Sequence, residues 1–314
     1  MKVLKSFKAN DKRKGENMRK FEISCDSNCD FYATEIEKFD IYVGELSYVL
    51  IDKSGNITDC LDSFKEEKEY CEYYDKLRSG IISKTSILSE EAHYSLFKTM
   101  AEKGIKTILH VCQSYGLSPT LDRAKDAYKR ISEEYPDVKI YFVESSSTTV
   151  GEQMLVRKAI EMRDNGCSVE ETQQKLEDLK MHLQHYIIVG DLMFLKRGGR
   201  ISGPKAMIGS LLKVRPIIEF NKQGKLDIIR KEMGEKKAFS SVVAEGLEMG
   251  KHPDSFQMYI GHTGNKETAE RLCAKVEEAF GYRPEIRWIG PIIGAHLGPD
   301  AVAYAFISDK ERMY

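Results

Sequence analysis

The chain reads as an α/β protein of two domains, the first built on a parallel sheet and the second on a mixed sheet. Three observations predict this. Up to about residue 165, short apolar runs alternate with longer segments whose apolar residues recur every three or four positions, which is the rhythm of βαβ units. Beyond that point the runs include a hairpin signal, so antiparallel pairing enters. A length of 314 residues exceeds what one hydrophobic core usually serves, and a hydrophobic fraction of 41% can fill two cores. The expected division is residues 1–20 as a disordered arm, 21–165 as the N-terminal domain and 166–314 as the C-terminal domain.

The arm is polar and cationic with one short apolar cluster, too little to offset the entropy of ordering it. Residues 21–25 form a short strand that runs into Asp26-Ser-Asn-Cys-Asp30, a turn-forming cluster able to cap the next helix. Residues 41–46 and 47–52 are strand-like, and 53–56 turn the chain toward Ile57 and Thr58. Phe64, Tyr70, Tyr73, Tyr74 and Leu77 fall at helical spacing, which predicts an amphipathic helix over 64–77 with its aromatics in the core. Glu90 and Glu91 open a helix that Gly104 closes, placed favourably against its dipole.

Residues 105–112 form a buried strand, 114–120 a loop and 121–134 a helix; 138–143 repeat the strand, and the hydroxyl-rich 144–149 lead into a helix from about 151 to 165. Ser168 caps a helix over 168–184 with Glu170 and Glu171 in its first turn. In the second domain, 186–190 and 217–220 are strands, Asn221-Lys-Gln-Gly224 is a turn, and 225–230 complete a hairpin. A helix over 236–250 follows, and then a strand over 256–262, a helix over 265–280 and strands over 285–288 and 301–307. Strand-to-helix loops of a parallel sheet gather outside the carboxyl ends of the strands, so the serine- and threonine-rich loops should meet on one edge and form the site.

Composition removes several function classes. Forty-eight basic against 49 acidic residues leave a net charge of −1, so no global field draws the chain onto nucleic acid. No apolar run approaches the roughly 18 residues of a membrane span, and a cytoplasmic protein without stable membrane insertion is expected. The seven cysteines are scattered and never spaced C-x-x-C, which favours free thiols over a metal site. Phosphate-loop, dinucleotide, zinc-protease and nucleophile-elbow signatures are absent from the sequence. What the chain offers is small hydroxyls on loops, His262 and His296 beside glycines, and Leu195-Lys-Arg-Gly-Gly-Arg-Ile201. In that turn Gly198 and Gly199 permit a positive φ or a close approach, with Arg197 and Arg200 as flanking cations able to hold an anion or to form helix-end ion pairs.

At these residues the chain resembles the DegV family of bacterial fatty-acid-binding proteins, from about residue 21 to the last strand. The resemblance rests on Cys25-Asp-Ser-Asn-Cys-Asp30, Thr85-Ser-Ile-Leu-Ser89, Ser114-Tyr-Gly-Leu-Ser-Pro-Thr120, the Gly-Gly-Arg turn, Gly209-Ser-Leu-Leu-Lys-Val-Arg-Pro216, Gly261-His262 and Gly290-Pro-Ile-Ile-Gly-Ala-His-Leu-Gly-Pro299. It implies a DegV-like fold with one long-chain fatty acid between the domains and no other cofactor or metal. It also implies a carboxylate held by Thr85 and Ser118, with Ser86 and Thr120 in the same two motifs, and with His262 and His296 orienting them. In the best-understood members such a protein is the acyl-carrying subunit of a fatty acid kinase, whose separate ATP-binding subunit phosphorylates the carboxylate; Arg200 then meets the partner or the acyl phosphate. A stand-alone acyl or phosphoryl transferase and a lipid-responsive regulator are the alternatives. The chain departs from the family pattern at Pro119, where glycine is usual and one backbone N–H is lost, and at Ile87, Leu88, Glu144 and Asp300.

Overall fold

A computed structural model of the chain describes residues 19–201, 214–250 and 257–314. Residues 1–18 of the expected arm and residues 209–213 of the Gly-Ser-Leu-Leu-Lys motif lie outside the described residues. The first part runs β1 (Glu22–Asp26), a 3₁₀ turn (Ser27–Cys29), α1 (Ala33–Phe39), β2 (Tyr42–Gly44), β3 (Ser47–Ile51), β4 (Ile57–Leu61), α2 (Glu67–Arg78), β5 (Ile82–Thr85), α3 (Glu90–Glu102), β6 (Thr107–Cys112), α4 (Thr120–Glu134), β7 (Lys139–Glu144), α5 (Thr149–Asp164) and α6 (Val169–His182). The second part runs β8 (Leu183–Ile188), α7 (Met193–Arg197), β9 (Val214–Phe220), β10 (Leu226–Met233), α8 (Glu235–Met249), β11 (Tyr259–His262), α9 (Lys266–Phe280), β12 (Glu285–Trp288), α10 (Pro291–Leu297) and β13 (Val302–Ile307).

The strands form a parallel sheet in the order β2-β1-β6-β7, with Ser24 opposite Tyr42 on one side and His110 on the other. Its central strand β6 is buried nearly throughout because helices cover both faces. A separate antiparallel sheet, β4-β3-β5, carries Thr85 at the end of β5. The mixed sheet has the order β10-β9-β8-β13-β11-β12, in which only the β11–β12 pair is parallel among the described strands. At the β9–β10 turn, Asn221 Oδ1 accepts from the N–H groups of Gln223 and Lys225, an Asx turn that fixes the hairpin.

Helix α5 is the layer common to the parallel and the mixed sheet. It packs on β1 and β6 from one side and on β8, β11 and β13 from the other. Its run Val150, Met154, Leu155, Val156, Ala159 and Ile160 is buried accordingly, as expected of a helix packed on two sides, and only its last turn reaches solvent at Glu161 and Asp164. Helix α6 packs on α5, β6 and β7, so the parallel sheet keeps its cover beyond residue 165 and β8 is the first strand of the mixed sheet. One core cluster joins Leu46, Tyr48, Tyr73, Tyr74 and Leu88 of the first part to Ile187, Phe220, Ile292, Ile293 and Leu297 of the second.

Two local expectations change. The Asp26–Asp30 cluster does not cap α1; Tyr32 is the N-cap, and Glu35 reaches back to its N–H at 3.1 Å. The polar cluster is buried instead, and Asp30 takes a left-handed conformation with φ 54°. Strand β5 and helices α7 and α10 are not expected from the sequence; the two helices have five and seven residues, too few for a helical period to show.

Candidate binding site

The loops after β5, β6 and β7 converge with α7 and α10 of the second domain around an interdomain cavity of about 50 Å³. Thr85, Ser86, Gln113, Ser118, Thr148, Arg200 and His296 are its polar lining; Leu46, Leu117, Leu195, Phe220, Ile292 and Ile293 are among its apolar walls. Of the residues singled out in the sequence, Thr85, Ser86, Ser118, Arg200 and His296 line this one space. Thr120 and His262 do not. Thr120 is fully buried in the first turn of α4. His262 lies against the Trp288 ring at 4.2 Å, and burial, with a smaller push from Lys266, lowers it to about 4.

Thr85 Oγ1 and His296 Nε2 are 3.0 Å apart. Burial first, and the charge of Arg200 second, lower His296 to about 4, so the ring is neutral at pH 7. A neutral ring that donates Nε2–H to Thr85 leaves the threonine O–H free to donate to an anion; the other tautomer accepts that proton instead. Gly198 lies so close to the ring that a Cβ there would sit 2.1 Å from His296 Nδ1, and Gly199 takes a φ of 69°. The Gly-Gly pair thus serves both a close approach and a left-handed turn. Arg200 donates to the Gly198 carbonyl and has no carboxylate partner among the described residues. Its burial lowers its pKa.

Ser118 is 4% exposed and Thr148 2% exposed, and neither hydroxyl has a hydrogen-bond partner among the described residues. Thr148 occupies the N-cap of α5 yet makes no capping bond. The backbone around it is strained, with φ of 50° at Ser146 and 47° at the β-branched Thr149. Glu144 holds this loop to its neighbour: its carboxylate accepts from Tyr115 N at 2.7 Å, Ser146 N at 3.0 Å and Ser146 Oγ at 2.9 Å. Across the domains, Ser114 Oγ donates to the Gly224 carbonyl at 2.7 Å.

Gln113 and Thr148 were not singled out as individual residues. The richness in hydroxyls marked their edge of the sheet, but a threonine before a helix reads as a cap. The Thr85–His296 pair resembles a hydroxyl nucleophile and its base, but His296 Nδ1 has no acidic partner to orient it among the described residues. The arrangement is suited to holding an anionic head against an apolar body.

Among the described residues, no helix is long and apolar enough to cross a membrane, and no group of three or more His, Cys, Asp or Glu side chains is placed to hold a metal ion. The model of the DegV family of uncharacterised proteins matches residues 20–309. A DegV domain-containing protein of Clostridium perfringens is 33% identical over 297 residues, covering 94% of this chain and 100% of the relative. A fatty-acid-binding DegV family protein of Streptococcus agalactiae has a structure similar to this one with a TM-score of 0.77 at 26% identity, covering 93% and 99% of the two chains. A Thermotoga maritima protein whose structure reveals fatty acid binding function gives 0.77 at 25% identity, covering 92% and 99%. With a family model spanning nearly all of the described residues and a relative matched over its whole length, the chain belongs to the DegV family.

Proposed function

We propose that this chain binds one long-chain fatty acid in the interdomain cavity and presents its carboxylate to a separate ATP-binding kinase subunit. The observation that carries the reading is the set of buried hydroxyls without partners, Ser118 and Thr148, meeting the Thr85–His296 pair at the polar end of an aliphatic space. A buried carboxylate needs charge-assisted hydrogen bonds, and these groups supply donors without a full counter-charge. Ser86 is exposed and belongs at the mouth. Thr120 and His262 act from outside the lining, His262 by packing on Trp288 just before α10.

The acyl chain contributes about 0.8 kcal/mol per buried methylene. The cavity is well below the roughly 300–1,000 Å³ of most small-molecule sites, so the chain enters by parting Leu195, Phe220, Ile292 and their neighbours. Related proteins that bind fatty acids support this reading. The absence of a phosphate loop from the sequence supports a partner that supplies ATP, and Arg200, which has no carboxylate partner among the described residues, would meet that partner or the acyl phosphate. Such a subunit works in the cytoplasm. The stand-alone transferase is the weaker reading, because the hydroxyl–imidazole pair that lines the cavity, Thr85 with His296, lacks an orienting acid among the described residues.

The test is equilibrium binding of a fluorescent long-chain fatty acid to Thr85→Ala/Ser118→Ala. Two hydrogen bonds to a charged group are worth about 1.5–3 kcal/mol each, so affinity should fall by roughly a hundredfold or more. Unchanged affinity would remove the carboxylate assignment.

A further inference from the structure

The motif Asp26-Ser-Asn-Cys-Asp30 lines no part of the interdomain cavity. It opens instead on a second cavity of about 190 Å³ that shares no lining residue with the first. Asp30 and Asp62 both face this space. Asp30 is 5% exposed; its Oδ1 accepts from Gly290 N at 3.0 Å, and its Oδ2 has no partner among the described residues. Asp62 accepts from Ser27 Oγ at 2.6 Å. A Cβ on Gly290 would lie 2.5 Å from Asp30 Oδ1 and 3.4 Å from Asp62 Oδ1, so the two acids face each other across one backbone unit.

No basic side chain among the described residues makes an ion pair with either carboxyl. Two carboxyls brought this near each other, one of them buried and reached through space only by the charge of Arg287, favour a proton or a cation between them. The rest of the lining includes Glu45 and Lys65, one charge of each sign, and the rings of Phe31, Phe64 and Tyr70, surfaces that attract a cation carrying alkyl groups. A bare metal ion fits less well, since no group of three or more metal-ligating side chains is present among the described residues. At about 30 Å³ per water-sized group, the space takes on the order of six non-hydrogen atoms.

We propose that this cavity binds a small organic ammonium ion, with its nitrogen between Asp30 and Asp62 and its alkyl groups against the aromatic rings. The site is independent of the fatty acid cavity, and its ligand is recognised by charge on one side and ring faces on the other.

The full-length chain is titrated with tetramethylammonium chloride and choline chloride at pH 8 by isothermal calorimetry, with sodium chloride at equal ionic strength as the reference. Saturable one-to-one binding with a dissociation constant on the order of 1 mM or tighter is expected for the ammonium salts and none for sodium. Asp62→Asn keeps an acceptor for Ser27 but removes the charge, and should weaken binding by about tenfold or more. Phe64→Leu, chosen because it spares every carboxyl contact, should weaken it as well, and thermal melting establishes that each variant is folded. Heats equal to those of sodium chloride, or affinity unchanged in both variants, would overturn the proposal.

Discussion

Thr148 stands where a helix cap belongs and does not cap, which leaves its hydroxyl for the cavity it lines. Its hydroxyl, like that of Ser118, is buried without a partner beside the Thr85–His296 pair. Leaving such groups unpaired is costly unless something binds them. Thr148→Val should therefore leave the fold intact, or slightly stabilise it, while lowering fatty-acid affinity by about tenfold, one charged hydrogen bond's worth; thermal melting checks the first and titration with a fluorescent acyl probe the second. Arg200→Ala should keep lipid binding within about twofold and abolish phosphorylation of the bound acid in the reconstituted pair, because the arginine borders the head group without belonging to the hydroxyl set. At this scale the sequence was informative for Thr85, Ser86, Ser118, Arg200 and His296, whose motifs converge on one space. It was silent on Thr148 and Gln113, since cap geometry and a free hydroxyl cannot be told apart without coordinates. It also counted in Thr120, which shares a motif with Ser118 but does not line the space, and His262, whose Gly-His motif contributes no lining residue.

The short elements do the positioning. Helix α10 brings His296 to Thr85, and α2 fixes the start of α10: Tyr73 Oη donates to the Pro291 carbonyl at 2.8 Å and Tyr74 Oη to that of Ile289. The turn after α7 closes on the other side of His296 through Gly198. Gly198→Ala demands space already filled by the imidazole. The ring has to leave Thr85, and acyl affinity should drop by roughly tenfold with little change in melting temperature; normal affinity in this variant would show that the Thr85–His296 contact is not needed. Long elements such as α3, α4 and α9 were legible from periodicity, whereas α7 and α10 were not, because five and seven residues give at most two turns. The aromatics of α2 were correctly read as core, but their hydroxyl contacts to α10 join residues more than 200 positions apart, a relation no local pattern contains.

At the scale of the molecule, the shared core and the central α5 bind the two sheets into one cooperative unit, so calorimetry should record a single unfolding transition. Its pH dependence follows from buried groups of opposite sign. Burial pushes Asp26 up to about 7 and Glu219 up to about 8. The unfolded chain ionises these carboxyls above about pH 4, so the folded state holds the extra protons and stability falls as pH rises through 7 and 8. Burial also lowers His93 to about 4 and His185 to about 3; there the unfolded chain binds the extra protons, and stability is lost as pH falls from 6.5 toward 4. The two effects offset one another in the acid range, which predicts a nearly level melting temperature between about pH 5 and 6.5 and a decline above 7, with the decline reduced in Glu219→Gln.

The central claim, that the interdomain cavity is a fatty acid site, is tested most directly by the native mass spectrum of the purified full-length chain set against its denatured mass. An added mass equal to one long-chain fatty acid is expected, disappearing on denaturation and lost in Thr85→Ala/Ser118→Ala. A chain that carries no such mass and takes up neither oleate nor palmitate when they are supplied would contradict it.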